Sequence, residues 1–295
     1  MASSRLQQVQ GHLSASAGKG LLAGEVAIIT GAFTGIGRSA ALLFAAEGAK
    51  VVVSDLDEKK AQLVVDEIHR SGGTALAVGG DVGADDFPEK VISATIAAYG
   101  QINHIVNNAG FTYDKMLHTM ADESWDIIQR IHVRAPFRLV RAAAPYLRLK
   151  GEQAQQVQNR SIVNVSSVAG LHGNTGQANY AAAKAAVIGL TKTIAKEWGP
   201  FGVRANTVAY GYIQTRLTAD KGSGATMEIG GQKISLGIPN ADKAAQAKVN
   251  PMVQGIPLLR AGTADEAANA MLFLCSPLAS YVSGHTLEVT GGSMI

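Results

Sequence analysis

Short runs of β-branched and aliphatic residues alternate along the chain with longer stretches whose apolar positions recur every three to four residues. The short runs predict strands at Val26–Thr30, Val51–Ser54, Leu76–Val78, Ile105–Asn107, Ile162–Val165, Val203–Val208 and Thr286–Val289. The longer stretches predict helices near Ile36–Glu47, Glu58–Arg70, Asp86–Tyr99, Glu123–Leu149, Ala178–Trp198 and Ala264–Leu274. Near-continuous apolar strands suit a sheet covered on both faces, since neither face then meets water. With right-handed crossovers, the alternation gives an α/β fold: a single doubly wound, Rossmann-type parallel sheet of about seven strands with helices on both faces.

The stretch between Thr215 and Pro257 departs from this alternation. Ala225–Ile229 and Gln232–Leu236 flank Gly230-Gly231, the pattern of a short hairpin. A short helix is expected near Ala241–Lys248, with Pro251 after it. An insertion of this length reads either as a lid over a site or as surface decoration. No linker or internal repeat divides the rest, so residues 23–295 read as one domain with the lid at about 215–257, and residues 1–22 as a flexible extension.

With 47% hydrophobic residues among 295, the chain has ample material for a large core. Its net charge of +3 comes from 26 basic and 23 acidic residues without a long run of one sign, which argues against nucleic-acid or membrane partners. The single cysteine, Cys275, sits in the apolar stretch Met271–Cys275, so a structural thiol is expected. A lone thiol points to a reducing compartment, the cytoplasm. The acid-free segment before Glu25, with Arg5 and Lys19, leaves the mitochondrial matrix as the alternative.

Directly after the first strand the chain reads Thr30-Gly31-Ala32-Phe33-Thr34-Gly35-Ile36-Gly37-Arg38 and enters an apolar helix. Gly31 permits the tight turn, Gly35 lets backbone N–H groups approach a pyrophosphate, and Gly37 lets the helix pack closely with its positive end on the phosphates. Asp55 ends the second strand at the interval expected of a ribose-binding acid. An ionised Asp55 would accept bonds from adenosine ribose hydroxyls and repel a 2′-phosphate, favouring NAD(H). The other reading of Asp55 is a solvated turn acid, since Asp57 and Glu58 follow. Arg38 either receives a 2′-phosphate or serves the surface.

Tyr180 and Lys184 are four apart on a predicted helix and share a face. A neighbouring ammonium favours the phenolate, so Lys184 is expected to lower the pKa of Tyr180.

Thr30–Gly37, Asn107-Asn108-Ala109-Gly110 and Tyr180-Ala181-Ala182-Ala183-Lys184 together resemble the classical short-chain dehydrogenase/reductase family, over about Leu22 to Ile295. The resemblance implies an oxidoreductase that moves a hydride between a nicotinamide and a secondary alcohol or ketone. Tyr180 would transfer the proton, Lys184 would hold the nicotinamide ribose, and Ser167 would orient the substrate oxygen. Ser166 is chemically equivalent, and family register favours Ser167. The cofactor would also meet Gly31, Thr34, Gly35, Ile36, Gly37, Asp55 with Leu56, Asp81 with Val82, Asn108, Ala109 and Gly110, and Ile213 with Thr215. No metal is expected.

Two departures from the family pattern stand out. Counting from Trp125, the usual asparagine is His132, a residue that resembles the (3R)-hydroxyacyl-CoA dehydrogenase units of multifunctional enzymes. It either serves the same proton relay or packs between helices. After the sixth strand Tyr210 replaces the family's proline, and a less rigid loop is expected. The substrate implied is a hydrophobic β-hydroxy/β-keto acyl compound, linked to CoA or a carrier protein whose phosphate Lys221, Lys233, Lys243 or Lys248 could meet. Alternatives are a secondary-metabolite, steroid or sugar-derived alcohol, or a non-catalytic dinucleotide-binding scaffold. The family implies a homotetramer or homodimer.

Overall fold

In the computed structural model, β1 (Val26–Thr30) is buried at every position, as a strand covered on both faces must be. The structure describes residues 20–224, 226–229, 232–238 and 251–294. After β1 come α1 (Gly35–Ala46), β2 (Lys50–Asp55), α2 (Glu58–Arg70), β3 (Thr74–Gly79), α3 (Phe87–Tyr99) and β4 (His104–Asn107). The chain continues through α4 (Asp122–Gln129), α5 (Ala135–Ala142), α6 (Ala144–Leu147), α7 (Gly151–Gln156) and β5 (Arg160–Ser167). Then follow α8 (Val168–His172), α9 (Ala178–Trp198), β6 (Val203–Tyr210), β7 (Thr226–Ile229), β8 (Gln232–Ser235), α10 (Pro251–Gln254), α11 (Ala264–Cys275) and β9 (Thr286–Val289).

Seven strands form one parallel sheet in the order β3-β2-β1-β4-β5-β6-β9. Alternate residues feed two cores. Ile29, Val51, Val53 and Val106 pack with α1, α2 and α11, whereas Ile28, Val52, Ile105 and Ile162 pack with α3, α5 and α9. Strand order reverses between β1 and β4, and a crevice opens at such a switch point beyond the carboxyl ends of the strands. Two helices that begin on this side of the sheet are capped locally. Asp57 accepts from the N–H groups of Lys59 and Lys60 at the start of α2, and Thr263 and Glu266 form a reciprocal capping box on α11.

The helix expected over Glu123–Leu149 is broken into pieces. Between α4 and α5 the residues Arg130–Arg134 form a turn of π-helix. Pro136 lacks the N–H that would bond the His132 carbonyl, so the helix widens just before it, and Pro145 begins the further break at α6.

The expected hairpin is present as β7 and β8, antiparallel, with Met227 opposite Ile234 and Glu228 opposite Lys233. Buried Ile234 and Leu236 pack against Phe111, Ile127, Ile128, Ile131 and Ala183. The hairpin is thereby seated over the π turn and the start of α9. The helix expected near Ala241–Lys248 lies outside the described residues.

Candidate active site

The glycine turn is pressed against the segment that leaves β4. Gly31 has φ +64°, and a Cβ there would lie 2.8 Å from Ala109 Cα, so only glycine suits the position. The Thr30 hydroxyl accepts from the N–H groups of Asn108 and Ala109, each at 3.1 Å. Asn108 Nδ2 donates in turn to Thr30 O at 2.9 Å and Gly31 O at 3.1 Å. Thr34 precedes α1 without a side-chain cap, and Gly35, Ile36 and Gly37 form its first turn, where no acid is present. The open N–H groups make an anion site, and a Cβ on Gly37 would collide with the Gly31 carbonyl.

Asp55 lies beside this turn. Its carboxylate accepts from Phe33 N at 3.0 Å and Leu56 N at 2.8 Å. Burial raises its pKa, while those bonds and the charge of Arg216 pull it back. With Gly31, Thr34, Gly35, Ala109 and Arg216 it lines a cavity of about 120 Å³. Arg38 points away, bonded to Glu67 at 2.5 Å. Asp81 accepts from Gly83 N and pairs with Arg130 at 2.8 Å, and Val82 packs beside Ile131.

A second cavity of about 300 Å³ shares Ile36, Asn108, Gly110, Thr215 and Leu217 with the first and extends to Ser167, Tyr180 and Lys184. Here the two serines separate. Ser166 is buried and donates to the Lys184 carbonyl at 2.7 Å, whereas Ser167 accepts from Ala169 N at 3.2 Å and faces the cavity alongside Tyr180. Strand alternation turns adjacent side chains to opposite faces.

Lys184 Nζ lies 5.4 Å from the Tyr180 ring centroid and donates to Val165 O at 2.8 Å. Burial pulls the Lys184 pKa down to about 7. Tyr180 does not follow the expected direction: burial pushes it up to about 12, with the Ser167 hydroxyl opposing and the Asp114 charge adding to the rise. Desolvation dominates, so the phenol of the free enzyme is neutral at neutral pH.

His132, on the π turn, is buried with its ring edge-on to Tyr180, centroids 5.3 Å apart. Nε2 lies 2.8 Å from Phe111 O and 3.2 Å from Phe111 N. The shorter contact makes Nε2 the protonated nitrogen, and Nδ1 is left buried without a partner. Burial and then the Lys184 charge hold its pKa well below the ordinary value, so the ring is neutral. A Cβ on Gly110 would collide with the imidazole, so glycine there makes room for it.

Asn179, Asn164 and Thr191 escape a motif search. Asn179 bridges Tyr113 O, Ser124 O and Tyr180 N, tying the start of α9 to α4 and orienting Tyr180. Its place next to the tyrosine is the one signal in the sequence. Asn107, Asn164 and Thr191 form a buried hydrogen-bonded chain across β4, β5 and α9. The loop after β6 is tied rather than loose: the Tyr210 hydroxyl donates to Ala267 O at 2.7 Å, and Ile213 and Thr215 are bridged by the Thr218 hydroxyl. The aromatic thus anchors the loop to α11.

A glycine turn at a switch point, an acid at the end of β2, and a serine, tyrosine and lysine facing one cleft define a nicotinamide-dinucleotide oxidoreductase that acts on hydroxyl or keto groups. The chain belongs to the short-chain dehydrogenase family, whose model matches residues 25–225, and a model described as enoyl-(acyl carrier protein) reductase matches residues 232–294. It is 36% identical over 274 residues to a 3-oxoacyl-(acyl-carrier-protein) reductase of Thermotoga maritima, covering 93% of this chain and 99% of the relative. The same enzyme name belongs to a Synechocystis relative, 38% identical over 276 residues (93% and 98%), and to one from Staphylococcus aureus, 35% identical over 267 residues (90% and 96%).

Proposed function

We propose that the chain interconverts a ketone and a secondary alcohol with NAD(H), acting on a hydrophobic β-keto/β-hydroxy acyl compound attached to CoA or a carrier protein. The observation that carries this reading is that Ser167, Tyr180 and Lys184 line one cleft continuous with the cavity at the glycine turn. The substrate class is supported by the names of the relatives. Lys221 is exposed near Asp114, while Lys243, Lys248 and the Lys233 side chain lie outside the described residues.

When bound, the dinucleotide supplies or accepts the hydride. Ser167 holds the substrate oxygen and Tyr180, a neutral phenol, gives it a proton during reduction. Lys184 in its charged form would steady the phenolate left behind and would bond the nicotinamide ribose. His132 backs the tyrosine, its bare Nδ1 suited to hold a relay water. Asn108, Gly110, Ile213 and Thr215 line the cleft that holds Tyr180 and would meet the nicotinamide end, Ala109 lines the cavity at the glycine turn, and Asp81 with Val82, which line neither cavity, would meet the adenine only as the family resemblance implies.

NAD(H) is favoured over its 2′-phosphorylated form for two reasons. Asp55, held by two N–H donors, repels a 2′-phosphate, and Arg38 is engaged with Glu67. A homotetramer or homodimer fits the exposed Trp125 and Phe137 on α4 and α5 and the exposed Leu278 and Tyr281 before β9. A cytoplasmic place fits the buried, unpaired Cys275.

The test is oxidation of NADH or NADPH by acetoacetyl-CoA, followed by absorbance. Reaction with NADH in preference to NADPH is expected. Preference for NADPH would overturn the assignment of Asp55, and reaction with other ketones but not this thioester would overturn the substrate class.

A further inference from the structure

The cavity beside the glycine turn has two walls. Gly31, Thr34, Gly35 and Asp55 form one, and Thr215, Arg216 and Leu217 form the other. The second wall is held by a tight turn in which the Thr218 hydroxyl accepts from Thr215 N at 2.9 Å and donates to Ile213 O at 2.6 Å. Thr215 is seated on the glycine turn, its Cγ2 3.4 Å from where a Cβ of Gly35 would be. Arg216 therefore reaches the cavity from a fixed base.

Three further observations concern its charge. Among the residues lining this cavity Arg216 is the cation, and its Nε is buried without a hydrogen-bond partner. Its field reaches Asp55, whose carboxyl it helps to hold ionised. Across the cavity, the first turn of α1 presents N–H groups with no side-chain cap and no acid. An arginine fork facing a helix N-terminus matches a pyrophosphate between them, one negative charge on each of its two phosphates.

We propose that Arg216 is a cofactor-positioning residue whose guanidinium closes over the dinucleotide pyrophosphate, opposite the first turn of α1. The proposal rests on the dinucleotide reading above. Asp55, read above as the ribose-binding acid, lines the same cavity, and the proposal assigns the arginine to the pyrophosphate and not to a 2′-phosphate.

The test is equilibrium titration of the full chain and of its Arg216→Ala and Arg216→Lys variants with NADH, NADPH, ADP-ribose and adenosine. Thermal melting of each variant verifies its fold. Arg216→Ala should weaken NADH and ADP-ribose by about tenfold or more, the worth of a charge-assisted bond, and leave adenosine unchanged. Arg216→Lys should recover part of the loss, since it keeps the charge without the fork. Unchanged ADP-ribose affinity in Arg216→Ala would overturn the proposal while leaving the dinucleotide reading intact. A loss confined to NADPH would overturn it in favour of 2′-phosphate recognition. Failure of the parent chain to bind either NADH or ADP-ribose would remove the dinucleotide reading and this proposal with it.

Discussion

His132 and Tyr180 meet edge to face, their ring centroids 5.3 Å apart and their planes at 81°. The imidazole is fixed by Phe111 and has a buried lone pair free on Nδ1. A group so placed can hold the phenol and pass a proton behind it without touching the dinucleotide. His132→Ala is expected to lower turnover about 10²-fold, the low end of what proton transfer contributes, with little change in NADH affinity. His132→Asn, which keeps a polar group there, should restore part of the rate. Steady-state kinetics with parallel NADH titrations read both effects, and unchanged turnover in His132→Ala would end the relay idea.

The same histidine makes a prediction about acid stability. Its folded pKa lies well below 6.5, because of burial and then the Lys184 charge, whereas the unfolded imidazole titrates near the ordinary value. As pH falls below about 6.5 the unfolded chain binds a proton that the folded chain refuses, so stability drops. His132→Asn should flatten that drop relative to the parent. Melting temperatures of the two proteins between about pH 5 and 7 measure the difference, and parallel curves would mean the imidazole charges within the fold.

Much of this arrangement is legible in the sequence where local pattern and tertiary environment agree. β1, β9, α2 and α9 occupy the spans their apolar periodicity predicts. The glycine turn and the Tyr180–Lys184 pair are legible for the same reason, being set by neighbours in the chain. What escapes depends on distant partners. Pro136 is visible in the sequence, but the π turn it leaves shows only once His132 is found wedged against Gly110 and Phe111. The direction of the Tyr180 pKa fails because a spacing rule supplies the ammonium and not the desolvation. The tie from Tyr210 to Ala267 crosses 57 positions, which no local pattern encodes.

Tyr180→Phe should retain NADH affinity and lose turnover by about 10²–10⁴-fold, because only the proton donor is removed. The pH dependence follows from Lys184, whose pKa in the free enzyme is about 7. It is charged below that pH and loses its proton above it. For ketone reduction kcat/KM should therefore fall as pH rises through about 7, since this parameter reports groups of the free enzyme. A rate rising through the same range would show that the neutral lysine is the active form.

The β7–β8 hairpin offers a test of what covers the cleft. Leu236 follows β8 and is fully buried in the cluster that holds Phe111, Ile131 and Ala183, with Tyr180 and Leu217 packed alongside. Truncating a buried leucine costs about 2–5 kcal/mol when the surrounding structure cannot collapse onto the gap. The sheet cores do not include Leu236, so the loss should fall on the docking of the hairpin more than on global unfolding. Leu236→Ala is then expected to change the melting temperature modestly, to increase proteolysis near residues 226–238, and to raise KM for an acyl substrate more than for NADH. A large fall in melting temperature with unchanged KM would mean that the hairpin is part of the folding core and not a cover for the substrate.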